Sequence, residues 1–96
     1  MIVRIPGLLR SYTAGAAIVE VTASAAKPDA SPGASVDGVL RELDRRFPGL
    51  RFRIIDEQAA VRPHIKLFLD GLLVRDLAHP VKAAAELMIV GALSGG

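Results

Sequence analysis

The chain contains no cysteine, which excludes a disulfide framework and a thiolate site and removes the thiol as a nucleophile. Charge of one sign is also scarce, with a net charge of only +2. Arg41, Arg45, Arg46, Arg51 and Arg53 fall close together, but Glu42 and Asp44 are interleaved with them. A nucleic-acid footprint needs a one-signed face with aromatics for stacking, and aromatics make up only 4% of the chain, so a mixed, solvated helix face is the expectation and no nucleic-acid partner. No apolar run is long enough to span a bilayer. The start, Met1-Ile2-Val3-Arg4-Ile5-Pro6, has no basic region followed by a long apolar one. These absences imply a soluble, cytoplasmic protein with no membrane partner.

What is present fits one domain, since 96 residues can bury roughly two thirds of their unfolded surface without covalent staples. Val3 and Ile5 alternate with Arg4, the pattern of a half-buried strand that Pro6-Gly7 ends. A second run, Ile18-Val19-Glu20-Val21-Thr22, puts Glu20 and Thr22 on the wet face and Val19 and Val21 inward. Residues 23–34 are small and turn-forming and read as a loop. Ser35 caps a helix whose apolar side is Val36, Val39, Leu40, Leu43 and Phe47, and Pro48-Gly49 stops it. The segment from Phe52 to Glu57 is equally compatible with an extended stretch or a helical turn. Ile65, Leu67 and Leu69 alternate with His64, Lys66 and Phe68 and run into the turn pair Asp70-Gly71, with Leu72-Leu73-Val74-Arg75 as the return strand.

The last ten residues organise the rest. Leu87-Met88-Ile89-Val90 is an apolar run that fits a strand covered on both faces, and it gives way to Gly91-Ala92-Leu93-Ser94-Gly95-Gly96. The end has little side chain to bury, so residues 92–96 should form a flexible tail beyond a domain of residues 1–91. A closing strand buried on both faces is placed most easily in the middle of the sheet, beside the first strand and parallel to it, reached by a right-handed crossover. Two hairpins, one helix and that strand give an α+β fold, a β-grasp (ubiquitin-like) roll with a mixed four- to five-stranded sheet and one main helix on one face.

Several segments are similar, in order, to the MoaD/ThiS sulfur carriers: Ile5-Pro6-Gly7-Leu8-Leu9-Arg10, Arg46-Phe47-Pro48-Gly49-Leu50, Asp70-Gly71-Leu72-Leu73-Val74-Arg75, His79-Pro80-Val81 and Ala92-Leu93-Ser94-Gly95-Gly96. The opening and the extra segment near Arg53 to Arg62 most resemble the actinobacterial carrier that supplies sulfur for cysteine synthesis. One departure is Lys82-Ala83-Ala84-Ala85-Glu86, which stands where the family has an Asp/Gly turn; its three alanines favour a helical turn.

The resemblance implies a carrier that is not itself an enzyme and holds no cofactor. The Gly96 carboxylate would be adenylylated by a ubiquitin-activating-type adenylyltransferase using ATP, then converted to a thiocarboxylate for a sulfur-accepting biosynthetic enzyme. Leu93, Ser94, Gly95 and Gly96 would be the tail that threads into these partners, and Leu73 and Val90, with Leu93, would be contact positions on the sheet face away from the helix. Phe68, turned away from the core by its strand pattern, would extend that patch. A free monomer is implied. Two other readings use the same residues: a ubiquitin-like modifier that passes the adenylate to a lysine, and a β-grasp interaction module with an idle tail, for a chain ends in two glycines by chance about once in 200. No metal site is expected from His64 and His79, which have no third ligand spaced near them, and the adjacent carboxylates Asp56 and Glu57 point apart.

Overall fold

The computed structural model describes residues 1–22 and 34–91; the expected loop from residue 23 to 33 and the tail 92–96 lie outside them. Strand β1 is Ile2–Arg4 and β2 is Ile18–Glu20, joined through a 3-10 turn at Gly7–Leu9. Helix α1 is Val36–Arg46 and α2 is Leu50–Ile54. The second hairpin is β3, Ile65–Leu69, with β4, Leu72–Val74, and β5 is Glu86–Gly91. The sheet order is β2-β1-β5-β3-β4. Both hairpins are antiparallel, β5 runs antiparallel to β3, and β5 pairs parallel with β1. The closing strand is therefore central, and the sheet is mixed and five-stranded, as the patterning implied.

Local chemistry sets the element boundaries. Ser35 accepts a hydrogen bond from the Gly38 amide at 3.0 Å, capping α1. In the β3–β4 turn Asp70 and Gly71 have φ of 49° and 85°, the two positive values a tight hairpin turn demands. Val36, Val39, Leu40 and Leu43 of α1 are fully buried, packed in one cluster with Val3, Val19, Leu67, Val74, Leu87 and Ile89 of the sheet.

Two segments resolve differently from, or beyond, the sequence expectation. From Phe52 to Glu57 the chain is divided: its first residues complete α2, whose Leu50 and Ile54 are buried one turn apart, and the chain then turns extended, with Ile55 bridging Val61. Asp56 holds that loop by accepting from the amides of Gln58 (2.8 Å) and Ala60 (3.1 Å). The helical turn favoured by the three alanines does not form. Lys82 to Ala85 is a single reverse turn closed by the Ala85 amide on the Lys82 carbonyl at 3.0 Å. Val81 and Ala85 are both buried, and the Ala85 carbonyl already accepts from the Ile2 amide. Pairing with β1 thus claims the backbone a helix would need, and tertiary context overrides propensity.

A further correction bears on function. Strand β5 is central but not covered on both faces. Leu87 and Ile89 are buried while Met88 and Val90 are 40% and 36% exposed, because the helices pack on one side of the sheet and among the described residues no element covers the other.

Candidate partner-docking face and tail root

In-register neighbours on adjacent strands project to the same face at close range. The pairings Leu73–Phe68, Phe68–Met88, Met88–Arg4 and Arg4–Ile18 therefore form a single row across all five strands, about 19 Å long at the usual strand spacing. Leu73 and Met88 are exposed and Phe68 is half-buried. Val90, opposite Lys66, begins the next row toward the chain end, and Ile2, between Glu86 and Glu20, lies on the other side. Phe68 and Met88, with Asp70, Gly71 and Glu86, line a shallow groove of about 460 Å³. The one charged member of the row, Arg4, is paired, donating to Glu86. An apolar strip with a polar border is the surface expected to meet another protein rather than water.

The positions expected to touch a partner, Leu73, Val90 and Phe68, are thus brought together on the open face. Sequence reasoning missed Met88, Ile2 and Ile18, which share it. Their signal was the alternation that placed Val3 and Val19 inward, and assuming a doubly covered β5 hid it for Met88. Leu93, Ser94, Gly95 and Gly96 lie outside the described residues. The last described residue before them, Gly91, pairs with Ile65 and follows exposed Val90. A Cβ at Gly91 would overlap the Leu8 side chain and push its end aside, so glycine here lets Leu8 lie against the root of the expected tail.

The arginine cluster is divided among local partners. Arg41 and Arg45 pair with Asp37 and Glu42, both at 2.7 Å, and Arg51 reaches Asp37 at 2.8 Å. Arg46 lies over Phe47 and donates to the Glu20 carbonyl. This is the mixed helix face the charge pattern implied; the pairs made by exposed Arg41 and Arg45 contribute little individually, whereas Arg51 and Asp37 are both half-buried. His64 and His79 belong to no group of three or more potential metal ligands among the described residues.

Asp37 is the one acid here with two arginines. Burial alone would raise its pKa, but the hydrogen bonds from Arg41 and Arg51, with their charges, outweigh that and hold it below the ordinary value of 3.8. A carboxylate depressed in this way stabilises the fold above its unfolded pKa, and the contribution is lost as pH falls through the folded value. The difference in thermal midpoint between neutral pH and about pH 3 should accordingly be smaller in Asp37→Asn than in the unmodified chain; equal differences would remove Asp37 from the acid response.

Neither a protein-family model nor a curated protein sequence matches the chain. Solved structures do. A chain of the Amycolatopsis orientalis BexX/CysO complex is 28% identical, with 99% of this chain and 98% of that one covered at a TM-score of 0.81. The resemblance to the MoaD/ThiS sulfur carriers holds. Mycobacterium tuberculosis CysO, an antigen, shares the fold at 22% identity and a TM-score of 0.76, over 96% of this chain and 98% of that one. SAMP1 from Haloferax volcanii does so at 23% and 0.76, over 100% and 98%. At those lower identities the likeness speaks for the ubiquitin-like roll alone. The match spans the carrier-like chain from end to end, and no described helix is long and apolar enough to cross a membrane.

Proposed function

We propose that this protein is a sulfur carrier whose Gly96 carboxylate is the working group and whose folded body is the handle by which partners hold it. The observation that supports this reading is the position of β5: a central strand whose last residue, Gly91, stands in the middle of the sheet beside an open apolar face, in a chain matched over 99% of its length by one from the BexX/CysO complex. The chain is a co-substrate and catalyses nothing. In a ubiquitin-activating-type adenylyltransferase a Gly96 carboxylate oxygen attacks the α-phosphorus of ATP and pyrophosphate leaves. Hydrosulfide then attacks the acyl carbon, the bond to AMP breaks with AMP as leaving group, and a thiocarboxylate remains for a sulfur-accepting biosynthetic enzyme of the cytoplasm. Glycines at positions 95 and 96 suit a narrow channel because a backbone without Cβ atoms is slim and tolerates unusual φ.

Intact mass of the protein isolated from its native host tests this reading. The expected species is heavier by the difference between one sulfur and one oxygen, and treatment with a thiol-alkylating reagent consumes it. Finding instead lysine-linked conjugates that digest to a Gly-Gly remnant, with no sulfur-bearing species, would replace the carrier by a protein modifier.

A further inference from the structure

The extra segment that follows α1 builds a second surface at the tail root, on the opposite side from the open face. Leu8, which lies against Gly91, lines a groove of about 450 Å³ together with Tyr12, Phe52, Arg53, Arg62 and His64. Its two guanidinium groups are held in place. Arg53 lies 5.5 Å from the Tyr12 ring centre and donates through Nε to the Tyr12 hydroxyl. Arg62 lies 4.6 Å from the Phe52 ring centre and donates through Nε to the Phe52 carbonyl at 2.7 Å.

In both cases the hydrogen bond uses Nε, so the Nη nitrogens donate to nothing among the described residues. Neither arginine has a carboxylate partner there, in contrast to Arg41, Arg45 and Arg51, and no lining residue of the groove is acidic. A stacked guanidinium with its outer nitrogens free is pre-organised for a carboxylate, because the ordering cost of the side chain is already met. Phe52, 53% exposed, and Leu8 supply apolar surface alongside.

We propose that this groove receives an acidic segment of the adenylyltransferase, one that presents carboxylates to Arg53 and Arg62 beside an apolar residue set against Leu8 and Phe52. The inference rests on the carrier reading. A protein that holds the chain end and also grips the body beside Gly91 meets the apolar face on one side and this cationic groove on the other. The open face supplies buried area; the groove supplies charge that fixes how the body is rotated about its tail.

The test is ATP–pyrophosphate exchange by the adenylyltransferase of the source organism, with the full chain as the varied substrate and direct binding measured in parallel. The variants are Arg53→Glu/Arg62→Glu, the milder Arg53→Gln/Arg62→Gln and, as a charge control outside the groove, Arg75→Glu, each checked for an unchanged unfolding midpoint. The double Glu variant should need at least about tenfold more protein for half-saturation while the plateau rate holds. The Gln pair should fall between it and the unmodified chain, and raising salt should weaken the unmodified chain more than the double Glu variant. Saturation of the double Glu variant within about twofold of the unmodified chain, or an equal shift in Arg75→Glu, would overturn the groove while leaving the carrier reading intact. An unmodified chain that neither binds nor exchanges overturns both.

Discussion

Deletion of Gly96 is expected to reduce adenylyltransferase-dependent ATP–pyrophosphate exchange by at least about a hundredfold while leaving the unfolding midpoint unchanged. The truncated chain still ends in a glycine carboxylate, at Gly95, so the loss cannot come from removing the reacting group. It comes from reach. One residue of extended backbone is about 3.3 Å, and a misplacement of about 1 Å in a reacting group already costs about two orders of magnitude. Stability should not follow, because among the described residues the core ends at Ile89, which packs under α1. Gly96→Val separates reach from width: it restores the length but adds a branched side chain, and should fail as the deletion does. Undiminished exchange in the deletion would leave only an interaction module with an idle end.

That expectation depends on features that are legible in the sequence to different degrees. The place of the closing strand follows from one question, where an apolar strand can be buried, and the answer, central and parallel beside β1, is correct even though the premise of two covered faces is not. Strand alternation identifies which residues share a face but not whether that face is covered, since coverage depends on how many helices exist elsewhere in the chain. One amphipathic helix of 11 residues can cover one face only, and that limit on its own implies that Met88 and Val90 stay open to solvent.

The segment from Arg51 to Pro63 is illegible for a different reason. Its α2 is five residues long, too short for a period to register, and its loop is held by one carboxylate, Asp56, accepting from two amides, a contact that leaves no spacing pattern. The pairing of Arg53 and Arg62 with rings at positions 12 and 52 is likewise invisible in sequence, because each guanidinium reaches its ring only after α2 has turned the chain. The Ala83 to Ala85 corner misleads through propensity, a weak prior that a single β1–β5 ladder bond overrides. Leu93 to Gly96 are readable as a motif and lie outside the described residues, so deletion and mass measurements are what bear on the role proposed for them.

The open face yields the second large effect. Met88 sits mid-row, flanked by Phe68 on β3 and Arg4 on β1, and is exposed. Met88→Asp should therefore weaken binding to the adenylyltransferase by about a hundredfold, which corresponds to about 2.7 kcal/mol and lies in the range of a central interface residue. The fold should lose only about 1 kcal/mol, for strand propensity, since the side chain contributes nothing to the buried core and an aspartate there lies beside Arg4. Leu73→Asp, at the end of the same row on edge strand β4, should cost less than Met88→Asp, because a rim position stays partly wet in a complex. Met88→Leu keeps the apolar area and should bind within about threefold of the unmodified chain. This graded order distinguishes a docking face from general surface charge: a partner indifferent to Met88→Asp but sensitive to Arg53→Glu/Arg62→Glu would grip the tail root from the groove side alone, and the apolar row would have to serve something other than the adenylyltransferase.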